Sequence, residues 1–115
     1  KTVKNMTNMA TRAQVRFATR EEGQSFNKHP SAIHAQFYIH HDGYPEFLGV
    51  EIANSILDNH TIDNLEIEEL TAKHGDLNYI YYIWQALSKD TFISIFNENE
   101  CIFVGEPQKL LEKYD

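Results

Sequence analysis

The sequence predicts a single α+β domain, with an antiparallel sheet of about five strands and two or three helices packed on one face. Three observations predict it: two runs that alternate apolar and polar residues, an amphipathic helical stretch after them, and three later runs rich in aromatic and β-branched residues. At 115 residues, of which 42% are hydrophobic, the chain is long and apolar enough to bury one core.

The first two strands are predicted over Met9–Phe17 and Ile33–His41, where apolar and polar residues alternate. Polar, turn-rich residues 19–30 predict a mobile connection, and residues 1–8 predict a flexible extension to a domain spanning 9–115. If the strands pair as a long hairpin, their polar side chains share one side of the sheet. This polar set is Arg12, Gln14, Arg16, His34, Gln36, Tyr38 and His40, and the opposite, apolar set from the second strand is Ile33, Ala35, Phe37 and Ile39.

The middle of the chain predicts two helices. Pro45–Leu57 has proline at the first helical position, Glu46 in the first turn and an apolar stripe spaced by four residues. Asn64–His74 predicts a weaker helix, with Asn64 as its cap and Gly75 as its stop.

Three strands are predicted next, over Leu77–Trp84, Thr91–Phe96 and Cys101–Val104, and the short turns between them indicate a meander. A last short helix is predicted to begin near Pro107. The aromatic residues of the first of these strands favour a core position over a stacking platform for single-stranded nucleic acid. A homo-oligomer surface on the same strand is left open.

Composition and charge exclude several classes of protein. The formal charge of −7 at pH 7 disfavours broad nucleic-acid binding, although Arg12, Arg16 and Arg20 all lie near the N-terminus and allow one anionic ligand at a local basic face. One cysteine excludes an internal disulfide framework, and no apolar run is long enough to span a bilayer. We expect a soluble, cytoplasmic protein without membrane contact or cofactor.

The segment Tyr38–Glu46 joins the second predicted strand to the first predicted helix and carries most of the polar chemistry. One interpretation makes it a joint, in which Asp42 caps the helix or closes the turn and Gly43 supplies an unusual backbone angle. Another makes it a ligand site, because helix N-termini and arginine favour phosphate or carboxylate and tyrosine adds a stacking face. The predicted ligand-binding residues are Arg12, Tyr38, His40 and Tyr44.

Catalysis by the same segment is an alternative. His40 suits general acid–base chemistry near neutral pH, and Asp42, two residues further along an extended chain, points to the same side. No nucleophile elbow, glycine-rich phosphate loop or metal-ligand spacing occurs, and the neighbours His40 and His41 point to opposite faces of a strand. We therefore expect no metal, and we expect Cys101 to be a core residue.

The pair Thr11-Arg12 and the run from Tyr38 to Glu46 resemble a group of small uncharacterised bacterial and phage proteins. Members of that group have Thr-Arg on a first strand and Tyr-x-His-x-Asp-Gly-Tyr-Pro-Glu before a helix, and the run Asp76–Ile83 is similar to a later strand. This chain differs by its long connection between the first two strands and by His41. The resemblance implies one folded unit in which this segment forms a corner, and no particular reaction.

These features predict a non-catalytic binding module for a small anionic ligand, such as a nucleotide or phosphate, or for a partner protein. The alternative is a small enzyme that uses His40 and Asp42 in acid–base chemistry on a phosphate-containing substrate. A third hypothesis is a structural or interaction role through aromatic strand surfaces.

Overall fold

The computed structural model describes residues 11–115, which form an α+β domain around one mixed sheet. The predicted extension 1–8 and the first two residues of the predicted first strand lie outside the described residues. The strands are β1 (Ala13–Thr19), β2 (Ala32–Ile39), β3 (Glu66–Glu68), β4 (Tyr79–Gln85), β5 (Thr91–Asn97) and β6 (Glu100–Gly105).

The strand order is β3-β2-β1-β4-β5-β6. The predicted hairpin of β1 and β2 is confirmed, with Arg16 opposite Gln36, and so is the meander of β4, β5 and β6. The prediction of an antiparallel sheet of about five strands is wrong, because the sheet has six strands and β4 runs parallel to β1. Strand β3 pairs antiparallel with β2 and therefore has the same direction as β1. The connection from β3, residues 69–78, crosses the sheet to the other side of β1, so β4 keeps that direction.

One face of the sheet, here called the helix face, is covered by helical segments. Pro45–Gly49 forms a π-helical turn that runs into α1 (Val50–Asp58), and α2 (Pro107–Tyr114) follows β6. The apolar stripe of the helices meets the sheet in a core of fully buried side chains. Neither helix of the described chain is long and apolar enough to cross a membrane. The central core residues are Val15, Leu48, Ile52, Tyr81, Ile93, Ile95 and Leu110.

The other face, here called the loop face, is covered by residues 20–31 and 69–78. The predicted mobile connection packs on the sheet: the Phe26 ring stacks on Trp84 with centroids 5.8 Å apart, and the His29 ring stacks on Phe96 at 4.0 Å. Polar and aromatic side chains of β1, β2 and β4 are therefore buried on this face as well.

No helix forms over Asn64–His74, where the sequence predicts one. Asn64 has φ of 69°, whereas an N-cap residue lies in the extended region. Residues Glu66–Glu68 are extended and pair with β2, with Ile67 opposite Phe37. Tertiary pairing outweighs the weak helix propensity of this segment.

A β-bulge in the β1–β2 pair moves His34 off its predicted face. Neighbouring residues of β1 pair with Ala35 and Ile33, which leaves His34 unpaired between them. An extra residue reverses the alternation beyond it, so Ile33 packs into the loop-face cluster whereas Phe37 packs under the helices. The prediction that groups His34 with Gln36 is therefore wrong.

Candidate functional site

The segment Tyr38–Glu46 turns the chain from β2 into the helical segment. Asp42 has φ of 60°, in the left-handed region that aspartate tolerates better than most residues. Gly43 N–H donates to the Thr11 carbonyl oxygen over 3.0 Å, and the Tyr81 hydroxyl donates to the Gly43 carbonyl oxygen over 2.6 Å. The unusual backbone angle therefore belongs to Asp42, whereas the sequence interpretation assigned it to Gly43.

Gly43 is required by space. A Cβ atom at this position would lie 2.8 Å from the Ala13 Cβ and 3.1 Å from the Thr11 carbonyl oxygen. A larger residue therefore forces this turn away from β1 and strains the hydrogen bond that joins them.

Amide groups at the start of the helical segment form hydrogen bonds within the segment itself. Phe47 and Leu48 donate their N–H groups to the Tyr44 carbonyl oxygen over 3.0 and 2.8 Å, and no side chain caps this end. Asp42 is thus a turn residue and not a cap. Burial raises the pKa of Tyr44, and the negative charges of Asp42 and Glu46 raise it further.

A cleft of about 310 Å³ opens beside this segment, between the end of β2, the helical segment and residues 62–66; we call it the motif cleft. Its floor is apolar and its rim carries four carboxylates and two histidines. Because no lysine or arginine lines it, the cleft is negative at neutral pH. The lining residues are Ile39, His40, His41, Asp42, Phe47, Leu48, Glu51, Ile62, Asp63, Asn64 and Glu66.

His40 contributes an exposed ring to this cleft. Its Nε2 atom lies 3.3 Å from Glu66 Oε1, and its ring meets the Tyr38 ring edge-on with centroids 4.6 Å apart. The carboxylate that contacts His40 is therefore that of Glu66, although Asp42 lines the same cleft. Within residues 11–115, no group of three or more His, Cys, Asp and Glu is placed to hold a metal ion.

The other predicted ligand-binding residues are occupied by protein contacts. The Arg12 guanidinium lies 3.1 Å from Asp76 Oδ2, and the Tyr38 ring stacks on His74 at 3.7 Å. Burial and then Asp76 raise the pKa of Tyr38, against the opposing effect of Arg12. The Tyr44 ring packs near Phe47, and Tyr44 is not among the residues that line the motif cleft.

Arg16 is the centre of a buried polar network on the loop face. Its guanidinium donates to Gln36 Oε1 over 2.8 Å, to Tyr82 Oη over 2.8 Å and to Gln14 Oε1 over 3.0 Å. Both glutamine amides then donate through Nε2 to Glu68 Oε2, over 2.8 and 2.9 Å. The two amides thus connect a cation to a carboxylate, and each of the three Arg16 side-chain nitrogens donates a hydrogen bond within the fold.

Glu68 and His74 complete this network, and the sequence analysis missed both. Burial acts to raise the pKa of Glu68, but hydrogen bonds from His74, Gln14 and Gln36 outweigh burial and leave this pKa lowered. The His74 Nε2 atom lies 2.8 Å from Glu68 Oε1. The alternation of Glu66, Ile67 and Glu68 is the signal that would have indicated a strand here.

His29 fastens the covering segment 20–31 to the sheet. Its Nδ1 atom lies 2.7 Å from the Tyr82 hydroxyl oxygen, and its Nε2 lies 3.2 Å from the Glu98 carbonyl oxygen. The carbonyl can only accept, so Nε2 donates to it, and Nδ1 of the neutral ring accepts from Tyr82. Burial lowers the pKa of His29, the Glu98 carbonyl opposes this, and Arg16 lowers it further.

No protein-family model, curated protein or solved structure matches this chain. The resemblance to small bacterial and phage proteins therefore stays a prediction.

Proposed function

We propose that this protein is a non-catalytic binding module that takes a basic segment of a partner protein in the motif cleft. The observation that carries this proposal is an apolar floor enclosed by four carboxylates in a cleft of about 310 Å³. A lysine or arginine side chain matches both features, because its aliphatic stem packs on apolar surface while its charged end reaches carboxylates.

Phe47 adds an apolar anchor to the cleft. Its side chain is 42% exposed, while Leu48 beside it is fully buried. Aromatic side chains, phenylalanine among them, are enriched in protein–protein interfaces relative to the rest of the protein surface. The partner segment therefore carries at least one apolar side chain next to its basic residues.

The charges favour a partner protein over the small anionic ligand that the sequence also predicts. The carboxylates of the motif cleft and of the helix start repel an anion, and the Arg12 guanidinium already lies beside Asp76. A nucleotide or phosphate at Arg12, Tyr38, His40 and Tyr44 stays a prediction, which a thermal-shift series with phosphate and nucleotides tests directly.

Acid–base catalysis stays the alternative, because His40 and Asp42 line the same cleft. The probe for it is p-nitrophenyl phosphate. Turnover by the wild type that disappears in His40→Gln would favour an enzyme, whereas the binding proposal expects no turnover from either protein.

The binding proposal is tested by fluorescence anisotropy with a labelled peptide of alternating lysine and leucine. The variant Glu51→Gln/Asp63→Asn/Glu66→Gln removes three cleft carboxylates. We expect it to weaken peptide binding about tenfold, because exposed ion pairs contribute roughly 0.2–1 kcal/mol each.

A matched control distinguishes the effect of the cleft carboxylates on peptide affinity from the effect of net charge. The variant Glu21→Gln/Glu22→Gln/Glu100→Gln loses the same three charges from exposed positions outside the cleft. We expect its peptide affinity to stay within about threefold of the wild type. Equal weakening in both variants, or no binding by the wild type, contradicts the proposal.

A further inference from the structure

A second and larger cavity lies at the opposite end of β1. It has a volume of about 650 Å³ and is formed by the carboxyl ends of β1 and β4, the turn after β4 and the end of α1; we call it the strand-end groove. Cavities of about 300–1,000 Å³ are the usual size of small-molecule sites.

The topology of the sheet creates this groove. β1 and β4 are parallel neighbours, so their carboxyl ends lie side by side. Residues 20–31 leave β1 across the loop face, where Phe26 stacks on Trp84, and residues 86–90 turn β4 directly into β5. On the helix face the two strand ends stay open between this turn and Ile56 at the end of α1.

The lining is apolar and partly uncovered. Phe17 is 42% exposed and Leu87, in the turn after β4, is 86% exposed, while Ile56 and Ile83 are half-buried beside them. Exposed apolar side chains gathered around a concave surface indicate a binding site more strongly than scattered ones.

The charge of the groove is opposite in sign to that of the protein. The chain has 17 acidic residues, yet none lines the groove, and its only lining residue with a full charge is Lys89. His34, which the β-bulge turns to this side, adds a ring whose Nε2 lies 2.6 Å from Thr19 Oγ1. The nearest acidic neighbour in sequence, Asp90, accepts from Ser88 Oγ over 2.9 Å.

We infer that the strand-end groove is a second binding site, for a small molecule with an apolar body and one acidic group. The apolar body packs against Phe17, Ile56, Ile83 and Leu87, and the acidic group pairs with Lys89. This site is separate from the motif cleft, so the two proposals stand or fall independently.

The only tryptophan of the chain lines the groove and reports its occupancy. The probe is 1-anilinonaphthalene-8-sulfonate, which quenches Trp84 emission by energy transfer when it binds nearby. The control probe is N-phenyl-1-naphthylamine, which has the same aromatic body without the sulfonate. We expect saturable binding of both probes to the wild type, with one site per chain.

Three variants distinguish the contribution of the groove's charge to probe affinity from the contribution of its apolar wall. Lys89→Glu is expected to weaken the sulfonate about tenfold and the neutral probe less than twofold, because only the sulfonate loses an ion pair and meets a like charge. Lys73→Glu makes the same charge change at an exposed site outside the groove and is expected to leave both affinities unchanged. Leu87→Asp is expected to weaken both probes.

The competitor decanoate identifies the class of ligand. It is expected to displace the sulfonate at a concentration at least tenfold lower than decanol, which has the same chain without the acid. The inference is overturned if binding of the sulfonate does not saturate, or if decanoate competes no better than decanol. It is also overturned if Lys89→Glu and Lys73→Glu shift the affinity for the sulfonate equally, or if Lys89→Glu weakens both probes alike.

Discussion

Gly43 shows how one small residue holds the motif segment against β1. Alanine there would place its Cβ atom 2.8 Å from the Ala13 Cβ. Gly43→Ala is therefore expected to lower the free energy of unfolding by about 1–3 kcal/mol, as overpacking of a tight site does. Urea denaturation of the variant and the wild type measures this loss.

Gly75→Ala is the matched control, because a Cβ atom at Gly75 meets nothing within 4 Å. Its free energy of unfolding is expected to stay within about 0.5 kcal/mol of the wild type. If both alanine variants lose the same stability, contact with Ala13 is not what requires glycine at position 43.

His29 makes stability depend on pH. Its pKa is lowered in the folded protein from an ordinary value of 6.5, so the unfolded chain binds the proton more tightly. The stability contributed by the neutral ring is complete above about pH 6.5 and is lost as the pH falls through the folded pKa. His29→Gln is expected to flatten the fall in unfolding free energy between about pH 6.5 and 5.

Urea denaturation at several pH values measures that slope, with His60→Gln as a control at an exposed histidine. The control is expected to keep the wild-type slope. An unchanged slope in His29→Gln would assign the pH dependence to other groups, since a glutamine at this position cannot take up the proton.

At the scale of elements, sequence periodicity predicted most strands and failed where neighbouring strands determine direction and register. The hairpin, the meander and the helical segment from Pro45 follow from alternation, short turns and proline at a helix start. The parallel direction of β4 and the bulge at His34 do not, because strand direction and register depend on distant neighbours. The motif cleft could not be predicted for the same reason, since Glu66, which lines it, comes from a segment predicted as a helix.

Glu68 ties strand β3 and residues 69–78 to the sheet. Its carboxylate accepts hydrogen bonds from the Nε2 atoms of Gln14 and Gln36. Glu68→Gln removes the carboxylate to which the two amides connect the charge of Arg16. If the new side chain turns its own amide nitrogen toward these donors, it also loses the hydrogen bonds. We expect it to lower the free energy of unfolding by about 1–3 kcal/mol, measured by urea denaturation.

Glu66→Gln makes the same chemical change two residues earlier on the same strand. Its side chain is 63% exposed, against 14% for Glu68, so a change below about 0.5 kcal/mol is expected. Equal losses in the two variants would mean that β3 responds to any loss of charge and that the buried network has no special role.

At the scale of the whole molecule, the two cavities lie at opposite ends of β1. Ala13 pairs with Ile39, which lines the motif cleft, whereas Phe17 and Thr19 line the strand-end groove. A strand of seven residues spans roughly 20 Å, about two Debye lengths at 0.1 M salt. The negative rim of one cavity therefore has little effect on a charge bound in the other.

Salt concentration is expected to separate the two sites. The charge of −7 and the cleft carboxylates both attract a basic peptide, so raising sodium chloride from about 50 to 500 mM is expected to weaken the lysine–leucine peptide at least tenfold. For 1-anilinonaphthalene-8-sulfonate, salt screens attraction by Lys89 and repulsion by the net charge together, and the affinity is expected to stay within about threefold. Anisotropy and Trp84 emission at matched salt concentrations measure the two affinities. Parallel weakening of both ligands would show that they respond to the same charges, and hence that the motif cleft and the strand-end groove are not electrostatically distinct.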